Sequence, residues 1–205
     1  MMKKQWLFIC LILMAISSAK AQELQFSPFA GYTFADKFKI NRGSAKIGAG
    51  FTYGASLTYI VHKKTNLELT YSREDCNAWA YSEYHGIDVR GPLSVNYIFF
   101  GSSELLQLNE DLSLFIGPNV GLGIYSGKDN ELGSTTQFAI GLSGGMKYMF
   151  SDKIGFRLQS HLNMPITNLD AGLWWNIGSG PSAGLTSHIP FLQFGFTGGL
   201  VFRLN

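Results

Sequence analysis

The chain has 205 residues, 46% of them hydrophobic and 15% charged, and a formal net charge of +2. So mild a charge, with no basic run, gives no footing for a nucleic-acid partner. Two cysteines, Cys10 and Cys76, are too few for a disulfide scaffold.

The first residues predict export. Lys3 and Lys4 precede an apolar stretch from Trp6 to Ile16, and Ala19-Lys20-Ala21 offers small residues before a cut at Gln22. That is the pattern of a secretory signal peptide over residues 1–21. The apolar stretch falls short of the ~20 residues that a membrane-spanning helix takes. Cys10 follows Ile9, where lipoprotein processing wants a small residue, so lipidation is not expected. Removing Lys3, Lys4 and Lys20 leaves 13 of the 16 Lys+Arg against 14 Asp+Glu, a near-neutral mature chain. With Cys76 its one remaining cysteine, that chain has no intramolecular disulfide. Residues 22–205 suit one domain, and no apolar run of about 18 residues within them predicts a spanning helix.

Alternation with a period of two then repeats along the chain. Residues 47 to 61 put Ile47, Phe51, Tyr53, Leu57 and Tyr59 on one face, and Gly48, Gly50, Thr52, Ser56 and Thr58 on the other. That is a long strand. The same reading predicts eight strands, near 24–34, 47–61, 67–73, 87–99, 112–124, 136–150, 154–166 and 190–204. Most reach the ~9–11 residues with which a tilted strand crosses a bilayer. Apart from Arg73 at the end of the third, the apolar faces carry no Asp, Glu, Lys or Arg, although 15% of the chain is charged. A water-soluble β-sandwich would alternate too, but with shorter strands and charge on its exposed faces. A soluble barrel would need an apolar interior, the inverse of what the small and charged faces here provide.

The connections alternate. Those at 62–66, 100–111 and 151–153 are shorter on average than those at 35–46, 74–86, 125–135 and 167–189. An even number of strands, with short turns at one end and longer loops at the other, fits an all-β, eight-stranded antiparallel up-and-down transmembrane barrel. Aromatics fall near both rims: Phe26, Tyr59, Tyr97, Phe99, Tyr148, Phe150, Phe156 and Phe202 at the turn end, and Tyr32, Phe34, Tyr53, Tyr71 and Phe138 at the loop end. Pro92 and Pro118 sit inside strands, where a missing N–H predicts bulges or local unpairing. The stretches FSPFAGYTF, YGASLTYIVHKKTNLELTYSRE, IGPNVGLGIYS, GLSGGMKYMFSDKIGFRLQS and GLVFRLN resemble the small eight-stranded outer-membrane β-barrels of Gram-negative bacteria, with the OmpA/OmpX-like architecture. The resemblance implies a place in the cell outer membrane, contact with outer-membrane lipid and lipopolysaccharide, and passage past periplasmic chaperones and the barrel-assembly machinery. It spans adhesion and stability scaffolds and small pores, so it implies architecture more than activity. The end departs from the final aromatic common in such barrels, because Phe202 is followed by Arg203-Leu204-Asn205.

Two groups of residues are candidates for function. A lumen charge network is expected from Lys46, Glu68, Asp88, Arg90, Lys147, Arg157, His161 and Arg203, with His62 and Glu74 nearby. Glu68 is expected to pair with Arg157 or Arg203, and Arg90 with Asp88 or Glu74, since an unpaired charge in a narrow lumen is costly. Glycines such as Gly54, Gly121 and Gly199 leave room for these side chains. At the loops, Trp79, Tyr81, Tyr84, Trp174 and Trp175 form a candidate surface contact for an unknown ligand; interfacial anchoring is the competing role. The reading is a non-enzymatic barrel with a polar plug, for envelope structure or surface recognition. The alternatives are a narrow pore for a small solute and a lipid A-modifying enzyme using His85 with Ser82 and Asp75, or His188 with Ser187. No spacing matches a catalytic or metal motif, so no cofactor or metal is expected.

Overall fold

In a computed structural model, residues 23–40, 43–62, 64–82, 87–127, 134–166 and 192–204 are described, those at 38–40, 43–45, 62, 80–82 and 87–89 as backbone. Ten strands form one sheet: β1 Leu24–Thr33, β2 Asp36–Ile40, β3 Gly43–Ile47, β4 Gly50–His62, β5 Thr65–Ser82, β6 Ile87–Gln107, β7 Leu112–Gly127, β8 Ser134–Met149, β9 Ile154–Ile166 and β10 Gln193–Arg203. Eight of them close on themselves, because β1 pairs with both β4 and β10 and every other neighbour is antiparallel. Following pairs from Gln25 through Thr58, Glu68, Gly101, Asn119, Gly141 and Asn163 to Gln193 returns to β1 beyond Thr33. That stagger of about ten residues is the shear a tilted closed barrel needs.

The short turns are built locally. Asn109 Oδ1 accepts from the amides of Asp111 and Leu112 at 3.1 and 2.7 Å, and Ser151 Oγ accepts from those of Lys153 and Ile154. Both are side-chain-capped turns of the kind Asn and Ser favour. β5 and β6, 18 and 21 residues long, run well beyond the limits read from sequence, β5 at the loop end and β6 at the turn end. Residues 74–82 and 100–107, expected in connections, lie in strands, and 36–47 adds a hairpin, β2–β3, whose inner strand pairs with β5.

Alternation sorts the side chains. Outward residues such as Phe51, Leu69, Phe100, Ile116, Phe138, Phe196 and Leu200 stay exposed, while Gln25, Thr58, Glu68, Asn163 and Gln193 are buried in the interior. On β6 the expected faces are reversed: Leu93, Val95, Tyr97 and Phe99 point inward and are buried, whereas Ile98 and Phe100 point outward. Tyr97 and Phe99 therefore leave the aromatic rim. With Ile47, Cys76, Ala78, Tyr125 and Ala139 they form an apolar cluster inside the loop end of the barrel. Polar packing thus fills the lower lumen and apolar packing the upper.

The reversal at Ile47 has a second cause. The β3–β5 pairing ends at Ile47↔Ala78, and the β4–β5 pairing begins at Phe51↔Asp75. Gly48, Ala49 and Gly50 therefore oppose only Cys76 and Asn77, a one-residue bulge. Both glycines are needed for closeness: a Cβ would lie 2.7 Å from the Asn77 oxygen at Gly48 and 2.6 Å from the Asp75 oxygen at Gly50. The bulge shifts parity, so Ile47 turns inward and Lys46 outward.

Strand prolines sit where pairing lapses or stops. Between β6 and β7 the register is unchanged from Gly101↔Asn119 to Glu104↔Ile116, but Ser102 and Ser103 are unpaired opposite Gly117 and Pro118. Between β1 and β10 the same gap falls at Ser27 and Pro28. Pro92 lies beyond the last β6–β7 pair, Leu93↔Gly127, and Pro165 beyond the last β9–β10 pair, Gln193↔Asn163. At Pro92 the β5–β6 ladder continues without a bulge. Each ring nitrogen can thus face a side from which no N–H is required.

Candidate functional site

The lower lumen is closed by a bidentate ion pair. Arg157 on β9 donates from Nη1 to Glu68 Oε2 at 2.5 Å and from Nη2 to Oε1 at 3.1 Å. Thr58 and Thr70 donate to the same carboxylate, each at 3.0 Å, and the guanidinium lies 4.1 Å from the Phe115 ring centroid. With its side chain 7% exposed, Glu68 tolerates burial because four hydrogen bonds and a cation surround it. Lys147 donates to Gln25 Oε1 at 3.1 Å, Gln25 donates to Glu23, and Glu23 pairs with Arg203. The two chains of contacts cross the barrel floor.

Above them, His161 lies 3.3 Å from Thr33, whose hydroxyl meets that of Thr52 at 2.6 Å. A void of about 30 Å³ beside His161, Thr70 and Asn119 has room for roughly one water. A second, about 10 Å³, lies near Asn66, Ser103 and Lys147. The ceiling is another relay: Tyr97 donates to Gln193 Oε1 at 2.5 Å and meets Tyr125 at 2.8 Å, and Gln193 donates to Glu74 at 3.0 Å. Gln193 stood on the expected inner face of β10, whereas Tyr97 was expected at the aromatic rim. The period-two pattern could place Tyr97 only once the face of β6 was known.

Of the expected lumen charges, Glu68, Lys147, Arg157, His161 and Arg203 meet inside the barrel. Lys46 does not, being exposed on β3 above the bulge. Arg90 is exposed on β6, across from Trp79 and 5.7 Å from its ring, and Glu74 pairs with Gln193 instead. The β6 reversal is the reason, since residues sharing parity with Ile98 face out. Asp88 and Tyr81 are paired backbone to backbone, and their side chains, with that of His62, lie outside the description. Tyr84, Trp174, Trp175, His85, Ser187 and His188 lie outside the described residues, as does the predicted signal peptide.

The outer wall carries a polar group that the sequence reading set aside. Arg73 donates from Nε and Nη2 to Asp75 at 3.3 and 3.0 Å, and from Nη2 to Ser94 at 2.9 Å. Ser94 donates to Asp75 at 2.8 Å and Tyr53 to Asp75 at 3.3 Å, and Tyr71 donates to Asn96 at 3.0 Å. Arg73 and Asp75 share the parity of Leu67, Leu69 and Tyr71, which was the signal available in the sequence.

No family model matches the chain, and no curated protein does. Solved structures do. The outer membrane protein OprG from Pseudomonas aeruginosa aligns with a TM-score of 0.59 at 10% identity, covering 90% of this chain and 96% of that one. Neisserial surface protein A gives 0.55 at 14% identity, covering 87% and 97%. The outer membrane protein AlkL, solved in lipid bilayers, gives 0.54 at 13% identity, covering 90% and 91%. The fold is that of the small eight-stranded outer-membrane barrels. In such a barrel the exposed belt faces lipid, and closure satisfies every wall amide that would otherwise meet hydrocarbon.

Proposed function

We propose that the chain is a non-enzymatic barrel of the outer membrane, plugged by its own side chains, and that its recognition surface is the part rising above the belt. The carrying observation is the packed lumen: the Glu68–Arg157 floor, the Tyr97–Gln193–Glu74 ceiling, and about 30 Å³ between them. The likeness of the fold to outer-membrane proteins supports the location. The upper sheet of β2, β3, β5 and β6 supports the display role, because it holds Trp79 and Arg90 on a rigid frame rather than a loop. Outer-membrane lipid, lipopolysaccharide and the assembly machinery are the partners such a location supplies.

Planar-bilayer recording of the refolded mature chain tests the plug, with folding established by a heat-dependent gel shift. The expected result is a folded barrel without discrete current steps. Reproducible unitary steps would replace this reading with that of a narrow pore.

A further inference from the structure

The apolar belt is not level. On β7 to β10 and β1 the outward residues, except Ser160 with its hydroxyl bonded to the Gly144 carbonyl, remain apolar up to Ile124, Phe138, Ile166, Phe194 and Phe34, at or near the strand ends. On β5 and β6 the belt stops at Tyr71 and Ile98, and polarity begins at Arg73, well short of Ser82. Charge on a lipid-facing wall is costly in hydrocarbon and nearly free among headgroups. Something polar must therefore reach down the wall at this notch.

We propose that the Arg73–Asp75–Ser94–Asn96 notch docks the phosphorylated sugar headgroup of an outer-leaflet glycolipid. This rests on the reading that the barrel sits in the outer membrane with its loops outward. The occupant is an amphiphile because the notch is continuous with the lipid-facing belt, its acyl chains lying along Ile98 and Leu69 directly below. Arg73 is held by Asp75 and Ser94 through Nε and Nη2, which leaves Nη1 to meet a phosphate with its geometry already fixed. Its side chain is one-third exposed, at 33%. Asn96 and the half-exposed Tyr53 and Tyr71 supply groups suited to sugar hydroxyls and ring faces.

Native mass spectrometry of the refolded mature chain in mixed micelles tests this, using bis-phosphorylated lipid A, dephosphorylated lipid A and phosphatidylglycerol as probes. Expected is preferential retention of phosphorylated lipid A, reduced about tenfold by Arg73→Gln through loss of a charge-assisted bond. An Arg73→Gln/Asp75→Asn double variant, with no charge left unpaired, should show the same loss. Equal retention by wild type and variants would overturn the proposal, as would equal retention of phosphatidylglycerol, or a dimer that Arg73→Gln dissolves. A chain lacking the heat-dependent gel shift would instead overturn the underlying barrel reading.

Discussion

Glu68 shows how one lumen residue holds the floor. Its carboxylate takes both guanidinium nitrogens of Arg157 and two threonine hydroxyls, so removing it leaves a buried cation over the Phe115 ring. Deleting one partner of such a pair costs about 3–5 kcal/mol. Glu68→Ala should accordingly lower the unfolding free energy of the refolded barrel, read from a urea titration, by that order. Adding Arg157→Met should restore part of the loss, because the double variant buries no unpaired charge. Unchanged heat stability in Glu68→Ala would show that the pair holds nothing. The pairing was legible because Glu68 and Arg157 each stand among threonines or glycines on an unambiguous alternating face. Gln193 was on the expected inner face too, but nothing in its neighbourhood announced Tyr97 as its partner.

At the scale of the element, the bulge at Gly48–Gly50 decides what the β2–β3 hairpin presents. Deleting Ala49 removes the extra residue and forces β3 into phase with β4, turning Ile47 out of the apolar cluster. The expected outcome is a folded barrel whose hairpin has let go of β5, seen as faster amide exchange at 78–82. Exchange unchanged there would mean the parity shift is immaterial. Strands β1, β4 and β7 to β10 could be read because their outward faces stay apolar over most of their length, Ser160 and the upper ends of β7 and β8 apart. On β6 the outward face changes polarity along its length, from Phe100 and Ile98 to Asn96 and Ser94. A period-two reading finds such a strand but has no means to orient it. The hairpin escaped because its alternation is short, Phe38 and Ile40 against Lys37 and Lys39, then Ala45 and Ile47 against Ser44 and Lys46, two five-residue strands below the length a spanning strand needs.

At the scale of the molecule, the two interiors divide the barrel into a membrane part, polar within, and an upper part packed like a water-soluble protein. That division predicts a depth profile. With Cys76 replaced by Ser, single cysteines at Ile98 and Asn77 can carry a fluorophore each. The label at 98 should be quenched by doxyl lipids and the label at 77 by an aqueous quencher. Lipid quenching at both would place the membrane boundary above the apolar cluster and erase the division.

Closure joins the first strand to the last, with the Leu204 amide donating to the Leu24 carbonyl and the Phe34 amide to that of Phe194. The strand that β1 needs on one side is thus the last to be made, and no vectorial order of folding can complete the wall. Until the C-terminal strand arrives, two ragged borders stand open and their amides have no partner in hydrocarbon. That final seam also contains the unpaired run at Ser27 and Pro28. The zip that commits the chain to its membrane is therefore one with teeth missing, and insertion must be guarded until it shuts.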